Sequence, residues 1–255
     1  AEPLKNLFDS LNDVVLKMVD LIMLTAPYAV FALLASVVVS SDDPDILVAL
    51  AQYAGVVLLG LALMIVFYTI IVSTFTKKNP FWFLKEISPA QLLAFSTSSS
   101  AATLPVTMER VEEHIGVDKE VSSFVLPVGA TINMDGTSLY QAVAAVFIFQ
   151  ALGLDLTFGD QITIVLTALL ASIGSAAVPG AGMVMLVIVL ESIGLPAESL
   201  AIGLALIFAV DRPLDRCRTT VNVTGDATVA MIVGNSLGRL GEPKVQNWDD
   251  VKENF

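Results

Sequence analysis

Residues Ile46–Thr76 read ILVALAQYAGVVLLGLALMIVFYTIIVSTFT, and no Asp, Glu, Lys or Arg interrupts them. About 20 apolar residues suffice to cross the hydrocarbon core of a bilayer, so this run spans with room to tilt. A second uncharged run, Gln161–Leu190, is cut by Gly and Pro too often to be one simple helix. A soluble helical core would show polar faces at helical spacing, and neither run has one. Of the 255 residues, 55% are hydrophobic and 15% charged, where a soluble domain carries about a quarter charged. The mean hydropathy is +0.79. The chain therefore reads as an all-α polytopic membrane protein whose first partner is the lipid bilayer. A net charge of −12 excludes nucleic acid, which needs basic patches. Cys217, the only cysteine, excludes intrachain disulfides.

Upstream of the run, a first helix is expected over Leu4–Ser40, amphipathic up to Asp20 and apolar beyond it, with Pro27 a predicted kink. An acidic turn, Ser41–Asp45, follows. The opening AEPLKNLFDS has no initiator Met and no signal peptide, and reads as the start of a fragment. Downstream, Lys77-Lys78-Asn79-Pro80 ends the span and Phe81-Trp82-Phe83 reads as an interfacial anchor.

The rest of the chain is interrupted. Ile87–Met108 is broken by Ser98-Ser99-Ser100 and Pro105, leaving halves too short to span. A re-entrant helical hairpin fits that pattern, with its base reaching residue 115. Val121–Leu154 is a span interrupted at Asn133-Met134-Asp135-Gly136-Thr137. Ile162–Leu195 repeats the hairpin pattern, broken between Ser175 and Gly182, and Ala201–Leu237 is the last span. Two broken hairpins, each followed by a span, suggest an inverted repeat, and paired interrupted segments point to a transporter's binding site.

Positive charge orients this topology. One side receives Lys5, Lys77, Lys78, Lys85, Arg110, Lys119, Arg239, Lys244 and Lys252. The other receives Asp42, Asp43, Asp45, Asp155, Asp160, Glu191 and Glu198, with no Lys or Arg. The positive-inside rule puts the first hairpin's base and the C-terminus in the cytoplasm.

The chemistry concentrates in the last span. Asp211, Asp215, Arg218, Asn222 and Asp226 recur every three or four residues and share one helical face. An ionised side chain at membrane depth is costly and by default functional. An Arg fork suits a carboxylate and a neighbouring Asp suits an ammonium, which together describe an acidic amino acid. The bland alternative, an ion-pair ladder holding helices together, leaves the three nearby chain breaks unexplained. A serine run between half-helices offers N–H groups to an anion. Unwound backbone at Asn133–Asp135 offers hard oxygen ligands to a small cation.

Four ordered motifs carry a resemblance. They are Ser98-Ser99-Ser100 with Thr103-Leu104-Pro105, then Asn133–Thr137, then Val178-Pro179-Gly180-Ala181-Gly182, and finally Asp215–Asp226. Over essentially the whole chain the protein resembles the glutamate transporter family of dicarboxylate/amino acid:cation symporters. The resemblance implies a sodium-coupled symporter for L-aspartate or L-glutamate, not an enzyme, in the plasma or inner membrane. It further implies a homotrimer with an elevator mechanism. Residues 1–43 would then be a scaffold and trimerisation helix, 44–240 a transport domain and 241–255 a cytoplasmic tail. Within the transport domain lie hairpin 1 at 87–115, a broken helix at 119–155, hairpin 2 at 160–196 and the last helix at 199–238.

By the same resemblance, Asp215 binds the substrate ammonium and Arg218 its side-chain carboxylate. Asn222 and Thr219 take the main-chain carboxylate, and Ser98, Ser99, Ser100, Thr137, Val178 and Gly182 complete the pocket. One sodium is implied on Asp226 with oxygens of Gly129, Asn133 and Asn222. A second is implied on backbone oxygens of Ser172, Ile173 and Ser175, near Thr131 and Met134. A third uses Asp135 and Asn133. Hairpin 2 would be the extracellular gate. The family's first four helices have no counterpart here, which leaves the third sodium site incomplete on this chain. An arginine that archaeal members carry on hairpin 1 is Ser98 here, and Arg216 stands on the last span instead. Gln141 stands where mammalian-type members carry a protonatable Glu, so no proton should accompany the sodium.

Rival readings make different demands. A channel would need ligands repeated around an axis rather than one Asp215/Arg218 pair. A membrane hydrolase would need a base near a nucleophile, but His114 is expected in a loop beside Glu112 and Glu113. A C4-dicarboxylate carrier would not need Asp215, and a neutral amino acid carrier would lack Arg218.

Overall fold

A computed structural model describes residues 2–40 and 45–245. The rest of the acidic turn, residues 41–44, and the end of the tail from residue 246, with Lys252, lie outside the described residues. The chain divides into two units, Ala1–Val48 and Ala49–Phe255. The first is α1, Glu2–Ser40, which runs as one helix through Pro27.

The second unit is built from helices, with no strand among the described residues. It begins with α2, Ile46–Thr76. Tyr53, Val57, Leu61, Tyr68 and Val72 are buried along α2, a stripe set by helical periodicity. The opposite side keeps Leu59, Leu63, Phe67 and Ile70 exposed, an apolar surface suited to lipid rather than water. Among the described helices, α2 alone has the length and hydropathy of a simple membrane crossing.

The expected breaks then divide the chain. α3 is Pro80–Thr97 and α4 is Ser100–Glu109. Ser98 takes a left-handed conformation (φ 52°), its N–H capping α3 through Ala94 O, while Ser99 Oγ accepts from Ala102 N and starts α4. At Ser99 the serine hydroxyl replaces a lost backbone partner. Pro105, expected to add to the break, sits inside α4. The serines alone interrupt the helix, because only they supply both caps. The first arm also starts at Pro80 rather than near residue 87. Asn79 caps it through Phe81 N and Trp82 N, so the aromatic cluster is its first turn.

α5, Lys119–Ile132, and α6, Asp135–Ala151, are separated only by Asn133 and Met134. α7, Phe158–Ile173, and α8, Ala181–Ser192, pack together across a longer break, and Gly180 (φ 80°) leads into α8. α9, Ala197–Ser236, is 40 residues long and is the spine. It packs on α3, α4, α5, α6 and α8. Its Ile207, Leu214 and Val221 belong to one apolar core with α2, α6, α7 and α8. Its Val223, Ala227, Ala230 and Met231 belong to another with α3 and α5.

His114 is not in a loop, because Arg110–Ile115 forms a π-helical turn (η1) that buries it. Arg110 Nε donates to Glu86 O at 2.5 Å, which brings the end of the α4 arm back to the start of α3 and closes a hairpin. The chain after α9 lies across this base. Gly241 N donates to Gly116 O (2.8 Å) and Lys244 N to Glu113 O (2.9 Å).

Two predictions follow from this packing. Gly203 of α9 lies flat on Ile148 of α6, where a Cβ would overlap the isoleucine methyl. Gly203→Val should cost about 1–3 kcal/mol. In thermal unfolding of the purified full-length protein, the double variant with Ile148→Ala should lose less than the sum of the two single losses. Additive losses would contradict the contact. His114 has Glu86 at 3.6 Å, yet burial, then the Arg110 charge, push it below its ordinary 6.5. Folded His114 thus stays neutral where the unfolded chain takes up a proton. Its contribution is complete above pH 6.5 and is lost as pH falls from there towards the folded pKa. His114→Gln should therefore narrow the drop in melting temperature between about pH 7.5 and about pH 5.5, measured side by side with the parent.

Candidate functional site

The charged face of α9 falls where its two apolar cores meet. Asp211, Asp215, Arg218, Asn222 and Asp226 are all buried, Arg218 to 1% exposure. Charges so placed must be matched locally, since a lone buried ion costs several kcal/mol. Arg218 Nε donates to Asp215 Oδ1 at 2.9 Å and Nη1 to Asp211 Oδ1 at 3.2 Å. Its guanidinium stacks 4.1 Å over the Tyr140 ring. Nη2 is 2.8 Å from Asp215 Oδ1 but off the hydrogen-bonding angle, and it is left as a buried, unused donor. It faces Gly182 of α8, where a Cβ would sit 2.8 Å from it. Only glycine lets that backbone come so close.

The helix breaks converge on this point. Gly180 N donates to the second oxygen of Asp215 at 3.0 Å. Ser99 Oγ donates to Ala177 O at 2.6 Å and so ties the α3–α4 break to the α7–α8 break. Asn222 Oδ1 accepts from Gly136 N (2.8 Å), and Asn222 Nδ2 is 3.3 Å from Thr137 Oγ1. The small cavity thus enclosed, about 20 Å³, is lined by Ser98, Ser100, Thr137, Val178, Gly182, Asp215, Arg218, Thr219 and Asn222. Every residue expected around a substrate except Ser99 lines it, and Ser99 clasps the two breaks. A cavity of that size holds about one water.

A second polar cluster lies one turn further along α9. Asp226 Oδ1 accepts from Asn133 Nδ2 at 2.9 Å and lies against Gly129, where a Cβ would stand 2.6 Å away. Tyr68 of α2 donates its hydroxyl to Asp135 Oδ2, while Asp135 Oδ1 is buried without a partner. Among the described residues no Lys or Arg forms an ion pair with Asp226 or Asp135. Nor does any group of three His, Cys, Asp or Glu gather there, as a transition metal would want. Each of the two carboxylates is instead met by one neutral donor, the Asn133 amide N–H at Asp226 and the Tyr68 hydroxyl at Asp135.

The residues expected around a second cation lie at the end of α5, in the α5–α6 break, and in and after the last turn of α7. Met134 and Ser175 line the main cavity, and Ser175 Oγ is buried without a partner. Ser172 Oγ meets Ser138 Oγ at 2.6 Å. Thr131 turns its hydroxyl back to Val128 O (3.0 Å), and the Ile173 side chain is exposed. Sequence reasoning missed Tyr68, Tyr140 and Ser138. For the tyrosines a signal exists, since a phenol in an otherwise apolar helix needs a polar partner.

A helix-built membrane protein that gathers its charges inside, between interrupted helices, is the class this fold and site define. The chain belongs to the sodium:dicarboxylate symporter family, whose profile it matches over residues 1–236. It is 47% identical over 235 residues to excitatory amino acid transporter 1 of Homo sapiens, covering 91% of this chain and 43% of that protein. It is 50% identical over 225 residues to excitatory amino acid transporter 3 of Homo sapiens, covering 88% and 42%. An excitatory amino acid transporter of Caenorhabditis elegans is 46% identical over 235 residues, covering 91% and 46%. The chain thus spans less than half the length of the curated relatives it matches.

Proposed function

We propose that this chain carries the substrate and cation sites of a sodium-coupled symporter for acidic amino acids, L-aspartate or L-glutamate. The observation that carries the reading is Arg218, wholly buried between Asp211 and Asp215 with one guanidinium donor unused. The relatives' names as excitatory amino acid transporters support it. Arg218 takes the side-chain carboxylate bidentately and Asp215 takes the ammonium. Asn222 and Thr219 hold the main-chain carboxylate, and Ser98, Ser100, Thr137, Val178 and Gly182 complete the pocket. A C4-dicarboxylate would leave Asp215 facing a like charge.

To admit a substrate, the Gly180 N–H must leave Asp215 and the Arg218–Asp215 contact must loosen. Hairpin 2, α7–α8, is accordingly the gate. Sodium occupies the Asp226 group with Gly129, Asn133 and Asn222, and the Asp135 group. A further sodium lies near Ser172, Ile173, Ser175, Thr131 and Met134. These cations supply the charge that the carboxylates lack, which couples ion binding to the gated pocket. The two re-entrant hairpins and α9 move as a transport domain over residues 44–240. Residues 1–43 are a scaffold helix of a homotrimer, and the tail at 241–255 is cytoplasmic.

Arg218→Cys removes a charge-assisted hydrogen bond of about 1.5–3 kcal/mol. In proteoliposomes containing the full-length variant, uptake should turn from aspartate towards neutral amino acids such as serine. Retained preference for aspartate over serine would reject the assignment. Coupling should also proceed without protons. Gln141 Nε2 donates to Gly182 O at 3.1 Å, and an amide there cannot titrate. With a sodium gradient and a pH dye trapped inside, substrate uptake should leave internal pH unchanged. Stoichiometric, substrate-dependent acidification would contradict it.

A further inference from the structure

We propose that Tyr68 is a positioning residue for the cation held at Asp135, and that its hydroxyl sets how tightly that cation binds. The inference rests on the sodium-coupled reading above. Tyr68 is 6% exposed on the buried stripe of α2, a helix with no charge anywhere along it. A phenol hydroxyl in such a setting must find a partner within the protein. It donates to Asp135 Oδ2, across 67 residues of sequence. Four segments meet there: α2 at Tyr68, the α5–α6 break at Asn133, α6 at Asp135 and α9 at Gly225. A Cβ on Gly225 would stand 2.9 Å from the Tyr68 hydroxyl and 2.8 Å from Asn133 Nδ2. The approach therefore exists only because residue 225 is glycine.

The chemistry of this contact is selective. A lysine or arginine at residue 68 would neutralise Asp135 and compete with any cation. A phenol leaves the charge in place. By taking Oδ2, it fixes the rotation of the carboxylate and leaves Oδ1 as the acceptor, buried and without a partner. Asn133 does the same for Asp226, donating to its Oδ1. Each carboxylate thus has one oxygen tied by a neutral donor, while its charge stays unmatched by any ion pair. That arrangement is poor for stability alone and good for receiving a small cation. A purely structural Tyr68 would need only some acceptor, such as a helix carbonyl, and not a buried carboxylate that lacks an ion pair and whose other oxygen has no partner.

Tyr68→Phe keeps the ring and deletes the hydroxyl. Aspartate binding to the full-length protein would be titrated with sodium, and separately with aspartate at saturating sodium. The sodium midpoint should rise roughly tenfold, the effect of losing one hydrogen bond to a charged group. Aspartate affinity at saturating sodium should change less than about twofold, because the substrate site keeps its residues. Tyr68→Met, which lacks the hydroxyl but packs adaptably, is read identically and covers a poorly folding Phe variant. Asp135→Asn serves as the reference. If it raises the sodium midpoint while neither Tyr68 variant does, the role of Tyr68 is overturned and the cation site stands. If none of the three moves the midpoint, the cation reading of Asp135 fails too. An equal loss of affinity at all sodium concentrations would mark Tyr68 as structural only and overturn the proposal.

Discussion

The second unit is arranged around the burial of charge on α9. A helix carrying two aspartates, an arginine, an asparagine and a third aspartate along one buried face cannot sit in an apolar core unless each group finds a partner. Arg218 is paired with Asp211 and Asp215, and only its Nη2 is left without a hydrogen bond. The remaining partners do not come from continuous helices, whose backbone groups are already spent on themselves. They come from the ends of broken ones. Gly180 N–H reaches Asp215, Gly136 N–H reaches Asn222, and the Asn133 amide reaches Asp226.

The breaks are therefore part of the electrostatics of α9. Each is built from residues that can end one helix and begin another. Ser98 and Ser99 do so through a left-handed cap and a hydroxyl cap. Asn133 caps α5 through Gly129 O and still donates its side chain to Asp226. The glycines at 129, 136 and 182 keep the approaching backbones within reach of Asp226, Asn222 and Arg218. Lengthening any of these side chains by one carbon would push a break away from the charge it serves. At Asp226 and Asp135 no Lys or Arg among the described residues answers the carboxylate.

Much of this was legible in the residues. The uncharged run Ile46–Thr76 became α2 residue for residue, because length and hydropathy leave little choice. The three breaks fell at the serine, Asn-Met and Gly-rich stretches, whose capping chemistry is local. The shared face of α9 followed from spacing alone. What failed depended on tertiary context. Pro105 reads as a breaker, but it sits inside the short α4. His114 reads as a loop residue among acids, but the π-helical turn packs it beside Arg110 and Glu86. The link from Tyr68 to Asp135 and the stacking of Tyr140 on Arg218 join residues far apart in sequence, so no spacing rule could show them. The spacing of Asp215 and Arg218 allows the i,i+3 pair that forms, but it does not show the Gly180 N–H that meets the other oxygen of Asp215.

The central claim is that the unmatched carboxylates at Asp226 and Asp135 are held for sodium rather than for protons. The most direct test is equilibrium binding of radiolabelled aspartate to the purified full-length protein. One series varies sodium at fixed pH, with choline replacing it, and another varies pH at fixed sodium. The account predicts binding that vanishes without sodium, rises with a sodium order above one, and depends little on pH near neutrality. Binding that persists in choline and strengthens as pH falls would show that protons neutralise those carboxylates, and would contradict it.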